Sequence, residues 1–323
     1  MSKKRAYITG ITGQDGAWLS RFLLEKGYMV YGLIRRTSRA TTQSIKEIIN
    51  DIELLEGDLT DSASLYKHIK IIHPDEIYNL GAQTQVRISF EEAEHTTQVT
   101  GLGALRILEA VKNIDRNIKC YQASSSEMFG EVKSMPQNEE TRFNPASPYG
   151  MAKLLAHGNA RIYKKAYGMY ISCGILFNHE SKYRGLNFVT RKITNGVARI
   201  KYGLQDKLEL GNIDSKRDFG DARDYVRAMW LMLQQKEPHN YIIATGKTHL
   251  VREFCDICFK KVGLNYKDYV KINPKLYRPA EVNVLCGDAS RAKRELGWEP
   301  KISFEKMIDD MLECDLKLAS EEK

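Results

Sequence analysis

The first half of the chain alternates short apolar runs with amphipathic stretches. Runs at 6–8, 29–34, 52–55, 76–80 and 119–123 read as strands, and segments near 17–26, 44–50, 62–71 and 101–112 carry apolar residues at helical spacing. Repeated strand-helix-strand crossovers predict a parallel sheet covered on both faces, with ligands at the carboxyl ends of its strands. Past Tyr149 the alternation loosens into a long helix to about Tyr167, strands at 171–177, 207–210 and 241–244, and helices at 188–202, 222–235 and 251–262. The RELGWEP stretch and a helix over 304–318 read as a smaller cap returning to cover the main sheet. No repeat, low-complexity tract or Pro/Gly/Ser linker interrupts the pattern, so two interleaved lobes are expected rather than separable modules.

The composition agrees with a folded chain. Its 323 residues, 42% hydrophobic and 28% charged, suit one large or two modest domains and exclude disorder or a collagen-like repeat. MSKKRAYITG has no apolar run of signal-peptide length, and no later stretch approaches the ~18 uncharged apolar residues of a membrane span. A soluble cytoplasmic protein with no membrane partner is expected. A net charge of +8 favours an anionic partner without choosing its kind.

Six scattered cysteines do not suggest a disulfide framework. Cys255 and Cys258 form a CxxC, but VREFCDICFKKV has helical spacing and no companion ligands, so both read as core thiols. Asn178-His179-Glu180 carries two metal-capable groups without HxxxH spacing or further ligands, and no metal is expected. Trp18, Trp230 and Trp298 read as packing residues, with no stacking pattern for nucleic acid.

Strand 6–9 runs into Gly10-Ile11-Thr12-Gly13-Gln14-Asp15-Gly16 and then a helix. Three glycines three apart permit a tight turn, close approach of the backbone to a pyrophosphate, and close helix-sheet packing. The end of the second strand should read the adenosine ribose. An acid there would bond the free 2'-hydroxyl of NAD, but this chain has Arg35-Arg36, which suit the 2'-phosphate of NADP; the ordinary alternative is a solvated basic pair. Asp58, after the third strand, could accept from the adenine amino group, and the small-residue run Asn79-Leu80-Gly81-Ala82-Gln83 lets the chain pass close to a cofactor.

The fifth strand ends in Ser124-Ser125-Ser126-Glu127, and Tyr149-Gly150-Met151-Ala152-Lys153 follows at the head of a helix. Tyr149 and Lys153, at i and i+4, share one face, so the ammonium can lower the phenol's pKa and hold the nicotinamide ribose. Ser125 can bond the same substrate oxygen. With 17 tyrosines in the chain, YxxxK alone is weak; placed after a strand-end serine in a nucleotide-binding pattern it is specific.

These residues resemble the extended short-chain dehydrogenase/reductases, and within them the GDP-mannose 4,6-dehydratases. The likeness runs nearly end to end and is carried by GITGQDG, RR (35–36), SSSEMFGE, SPYGMAK, GILFNHES, NFVTRKI, LGNIDSKRDFGDARDYV and YRPAEV. The resemblance implies a Rossmann-type doubly wound parallel sheet with a smaller, interleaved C-terminal substrate-binding lobe. Residues 1–177 would mainly hold NADP and 178–323 mainly the nucleotide sugar, with segments such as 207–245 returning to the main domain. It implies cofactor contacts from Gly10, Ile11, Thr12, Gly13, Gln14, Asp15 and Gly16, from Arg35, Arg36, Thr37 and Ser38, and from Asp58 and Leu59. Further cofactor contacts would come from Leu80, Gly81, Ala82, Gln83, Thr84, His95, Tyr149, Lys153, His179 and Arg184. Ser125, Glu127, Tyr149 and Lys153 would be catalytic. Thr84, Ser125, Glu127, Tyr149, Asn178, Asn187, Val189, Lys192, Arg217, Arg278 and Glu281 would contact substrate. The chain departs from the family pattern at Ser125, where threonine is usual, at Gln85, where histidine is usual, and at His95, where tyrosine is usual; the first change keeps the hydroxyl.

The implied reaction converts GDP-D-mannose to GDP-4-keto-6-deoxy-D-mannose, a first step toward GDP-6-deoxyhexoses such as GDP-fucose or GDP-rhamnose. A slow NADPH-dependent 4-reduction to GDP-rhamnose is a further activity of some relatives. A homodimer or homotetramer without nucleic acid is the implied assembly. Physically, Glu127 separates a dehydratase from a plain dehydrogenase: a ketone at C4 acidifies the C5 proton, and a carboxylate just beyond the serine can move that proton to the C6 hydroxyl. Lys192, Arg217 and Arg278 suit a diphosphate. The competing readings are a 4-epimerase or 4-reductase on another nucleotide sugar, a silent NADP sensor, and an RNA-binding scaffold. Ser125, Tyr149 and Lys153 argue against silence, and the lack of an RNA motif argues against the scaffold.

Overall fold

A computed structural model describes residues 3–37, 42–132, 134–280, 282 and 284–323. Its main sheet contains β1 (Arg5–Thr9), β2 (Met29–Ile34), β3 (Ile52–Glu56), β4 (Glu76–Asn79), β5 (Lys119–Ser125) and β6 (Ile171–Leu176). Tyr241–Ile243 adds a seventh strand beside β6, giving the order Tyr241–Ile243, β6, β5, β4, β1, β2, β3. All pairings are parallel. The chain winds outward in opposite directions from β1 and β4, so a crevice opens above the carboxyl ends of these two strands.

Both faces of this sheet are buried, which is why its strands read as continuous apolar runs. Ile8 packs with Leu19, Leu23, Met229 and Trp298 on one face, under helices Gln14–Glu25 and Ala222–Leu233. Its neighbour Tyr7 joins Leu65, Ile69, Ile107, Val111 and Tyr163 on the other, under helices Ser62–Ile72, Gly103–Ile114 and Pro148–Tyr167.

A second core gathers Ile193, Val197, Leu208, Phe254, Phe259 and Met311 from helices Val189–Lys201, Val251–Lys261 and Phe304–Glu322 and from strand Leu208–Leu210. Strand Lys216–Asp221 pairs with Asn178–Glu180, Thr248–Leu250 and Val284–Leu285, and Leu208–Leu210 pairs with Val270–Ile272. Arg191 clamps the C-terminal helix through a two-toothed ion pair with the fully buried Asp315, at 2.7–2.9 Å.

Several elements differ from the sequence reading. Within 207–245, helix Ala222–Leu233 and strand Tyr241–Ile243 join the main sheet, whereas the strands before residue 222 pair in the small sheets. The expected C-terminal cap divides: Trp298 enters the main core, but helix Phe304–Glu322 turns its apolar side to the second core. The helix near 44–50 is a 3-10 turn, Gln43–Ile48, with Ile45 its one buried residue, too little apolar surface to anchor a full helix. Cys255 and Cys258 are fully buried in the second core, where burial pushes the Cys255 thiol up to about 12. Among the described residues, no helix is long and apolar enough to cross a membrane.

Candidate active site

The glycine loop that follows β1 lies against the end of β4. Gly10 has φ +72°, and a Cβ there would sit 2.9 Å from the Gly81 nitrogen; at Gly16 it would sit 2.3 Å from the Gly10 carbonyl oxygen. Helix Gln14–Glu25 therefore starts deep in the crevice, and its N-cap, Gly13, offers no side-chain cap to the first-turn amides. Uncapped amides behind a turn bounded by two glycines are the donor set that a pyrophosphate takes, so these residues fit a dinucleotide.

Strand Asn178–Glu180 laces this loop to the second lobe. His179 Nε2 lies 2.8 Å from Asp15 Oδ2, and its Nδ1 lies 2.7 Å from the Phe177 carbonyl oxygen. Its ring stacks on Tyr225 at 4.4 Å, while Gln14 donates to the His179 carbonyl and accepts from Ser181. Burial alone would raise Asp15 and lower His179. Their mutual attraction outweighs it, leaving Asp15 below the ordinary carboxylate range and His179 above the usual imidazole value.

Arg35 and Arg36 follow β2 and are exposed. Arg36 Nε is 3.7 Å from Glu56 Oε2, a solvent-screened pair that gives way readily to a stronger anion. Asp58 Oδ1 accepts from the amide and hydroxyl of Thr60. Leu59 is buried, with its side chain against Gly81 and Gly103, and the Gly81 amide donates to Thr9 Oγ1 at 3.0 Å.

Helix Pro148–Tyr167 is started by Ser147, whose Oγ accepts from the Gly150 amide at 3.0 Å, with a proline in its first turn. The Tyr149 amide donates to Ser89 Oγ. Lys153 Nζ donates to the Ala123 carbonyl at 2.8 Å and lies 5.9 Å from the Tyr149 ring centre. Burial pushes Tyr149 up to about 12, opposed by its hydrogen bond with Ser125, and pushes Lys153 down to about 8. The expected depression of the phenol by Lys153 is thus not what this structure has: burial dominates, and the ammonium is turned toward Ala123. One turn further along, His157 Nδ1 lies 2.9 Å from Ser124 Oγ, and its Nε2 lies 3.4 Å from Asn240 Nδ2.

Ser125 Oγ caps the short turn Ser126–Met128 by accepting from the Glu127 amide at 3.2 Å. The capping oxygen is the serine's, so the Glu127 carboxylate is not committed to that task. It lies largely buried in the cleft, with Oε1 3.1 Å from Arg278 Nη1.

Thr84, Ser125, Glu127, Tyr149, Lys153, Asn178, Asn187, Val189, Lys192, Arg217 and Arg278 line one cleft together with Asp15, Leu80, His179 and Arg184. The fold thus brings groups from both lobes into one cleft. Ser38 and Glu281 lie outside the described residues. His95 is exposed on the short helix Ala93–Thr96 and is not part of the cleft wall. Arg87, Phe188, Asn212, Ser215 and Leu276 also line the cleft but were not singled out. Asn212 and Ser215 lie in the same stretch as Arg217 and could have been found there; Arg87 sits on a six-residue helix too short to show periodicity. Among the described residues no group of three or more His, Cys, Asp or Glu could hold a metal ion.

The profile of the family described as GDP-mannose 4,6 dehydratase matches residues 7–311. GDP-mannose 4,6 dehydratase 1 of Arabidopsis thaliana is 54% identical over 333 residues, covering 99% of this chain and 92% of that protein. Among solved structures, the dTDP-glucose 4,6-dehydratase DesIV of Streptomyces venezuelae with NAD bound superposes with a TM-score of 0.86 at 22% identity, covering 99% and 97% of the two chains. RMD of Pseudomonas aeruginosa complexed with NADPH gives 0.81 at 25% identity, covering 98% and 100%.

Proposed function

This chain belongs to the GDP-mannose 4,6-dehydratase family, and from that membership we propose that Ser125, Glu127, Tyr149 and Lys153 carry its reaction with NADP as the resident cofactor. The enzyme is a nucleotide-sugar 4,6-dehydratase that converts GDP-D-mannose to GDP-4-keto-6-deoxy-D-mannose with loss of water. When bound, NADP would supply a hydride acceptor for C4 oxidation and a hydride donor for C6 reduction, and so would be restored in each turnover. Gly10 to Gly16 would hold its pyrophosphate, and Arg35 and Arg36 its 2'-phosphate. Residues 1–177 would serve chiefly the cofactor and 178–323 chiefly the nucleotide sugar, apart from the segments within 222–243 that complete the main sheet and its core.

Tyr149 receives the proton of the C4 hydroxyl while Ser125 donates to the same oxygen, and the Lys153 ammonium, on leaving the Ala123 carbonyl for the cofactor ribose beside Tyr149, would offset the burial that raises the phenol. The ketone acidifies C5, whose proton passes to Glu127. The protonated acid delivers it to the C6 hydroxyl, which departs as water; C5 then takes a proton from solvent as C6 is reduced, and Tyr149 gives up its proton to solvent. Lys192, Arg217 and Arg278 face the diphosphate. The observation that carries a dehydratase over an epimerase or reductase is the Glu127 carboxylate, buried beside Ser125 and in one cleft with Tyr149 and Lys153.

The same reading places the enzyme in the cytoplasm as a homodimer or homotetramer. It also allows a slow reduction of the product to GDP-rhamnose by exogenous NADPH. Mass spectrometry after incubation with GDP-mannose, UDP-glucose and dTDP-glucose tests the assignment. Loss of one water from GDP-mannose alone is expected; comparable loss from either glucose nucleotide would overturn the base specificity.

A further inference from the structure

The Glu127–Arg278 contact joins the group that moves the C5 proton to a group assigned to the nucleotide. Glu127 lies on the turn that follows β5 of the main sheet and Arg278 in the second lobe, 151 positions later. The two ends differ in freedom. The Glu127 amide is bonded to Ser125 Oγ, and its carbonyl oxygen is so close to Gly150 that a Cβ there would come within 2.6 Å. Arg278 follows a three-residue turn, Pro274–Leu276, and an exposed Tyr277. When the pair separates, Arg278 is therefore the partner that moves.

We propose that Arg278 is shared between Glu127 and the nucleotide diphosphate, so that seating the nucleotide draws the guanidinium away and releases the carboxylate for proton transfer. This rests on the reading of Arg278 as a diphosphate ligand. A diphosphate carries more charge than a carboxylate and offers a guanidinium several acceptor oxygens, so it wins a partly exposed donor. Arg278 acts as a positioning residue. Before the nucleotide arrives it holds the carboxylate in place and occupies one of its oxygens. Afterwards that oxygen faces the hexose. A sugar without its nucleotide would leave Glu127 paired, which ties the proton-transfer step to recognition of the far end of the substrate.

Competition for Arg278 predicts that Glu127 weakens nucleotide binding through Arg278. The test is a double-mutant cycle read by calorimetric titration of GDP into NADP-loaded protein, using Glu127→Gln, Arg278→Gln and the double variant. Glutamine keeps the shape of Glu127 and removes its charge, and thermal unfolding checks that each variant is folded. Glu127→Gln should bind GDP about fivefold more tightly than wild type, the upper scale of a partly exposed ion pair. In the Arg278→Gln background the same change should have no effect. Unchanged GDP affinity in Glu127→Gln, or an equal gain in both backgrounds, would overturn the sharing, since the latter is plain repulsion through space. If Arg278→Gln binds GDP as tightly as wild type, Arg278 is no diphosphate ligand and the underlying reading falls too. A weaker Arg278→Gln with an unresponsive Glu127→Gln sinks the sharing alone.

Discussion

Gly150 packs against the carbonyl oxygen of Glu127 so closely that a Cβ at 150 would lie 2.6 Å from it. This contact sets how near helix Pro148–Tyr167 comes to the end of β5, and hence how Tyr149 meets Ser125. Gly150→Ala should improve intrinsic helix propensity by roughly 1 kcal/mol yet push the helix off the turn. We expect kcat to fall by about tenfold or more with little loss of melting temperature. Steady-state kinetics beside thermal unfolding will check this; wild-type kcat would show that the helix can shift without displacing Tyr149.

Glu127→Gln should separate the two halves of the reaction. Wild-type enzyme in heavy water is expected to leave deuterium at C5 of the product. The glutamine variant keeps Ser125, Tyr149 and Lys153, so C4 oxidation should proceed, with bound reduced cofactor rising toward one equivalent and no water lost. Absorbance and product mass spectrometry read both quantities. Near-normal dehydration by the folded variant would remove Glu127 from the mechanism.

Replacing Arg35 and Arg36 with alanine should cost NADP roughly 1.5–3 kcal/mol per charge-assisted hydrogen bond and leave NAD binding nearly unchanged. Fluorescence titration of both dinucleotides will measure the change in preference. Undiminished NADP affinity would move the 2'-phosphate to another part of the crevice.

His157 should make the fold acid-sensitive. Burial, with help from Arg161, holds its imidazole down at about 4 against an ordinary 6.5. Between these values the unfolded chain binds the extra proton and the folded one does not. Stability is therefore full above about pH 6.5 and declines as the pH falls toward 4, by up to roughly 3 kcal/mol from this group. His157→Gln should flatten that part of the profile. Urea unfolding at pH 7.5 and 4.5 gives the comparison; an equal acid loss in both proteins would assign it to other groups.

The main sheet was legible because strands buried on both faces leave continuous apolar runs, and the glycine loop because its spacing follows directly from backbone crowding. Tyr149 and Lys153 were legible as an i, i+4 pair. The small strands of the second lobe were not. Asn178–Glu180 and Thr248–Leu250 are three residues long and hold their shape by pairing with Lys216–Asp221, information that resides in distant parts of the chain. The Asp15–His179 and Glu127–Arg278 pairs likewise join positions more than 150 residues apart, and no local pattern announces them. The direction of the Tyr149 shift escaped for a related reason: helical spacing places a lysine nearby, but only packing determines how dry the phenol is.

Strand Tyr241–Ile243 pairs with β6, yet it leaves the ribosome some 65 residues later. Until it arrives, the edge of β6 carries unsatisfied backbone groups, and the face that Met229, Met232 and Trp298 later cover stays open. The intervening chain contributes to the second core, which is itself closed by the last helix. Neither lobe can finish alone, and the pairings that complete each one span long stretches of sequence. That arrangement slows folding and exposes an adhesive edge to neighbouring nascent chains, so it makes the half-synthesised protein a natural client of chaperones.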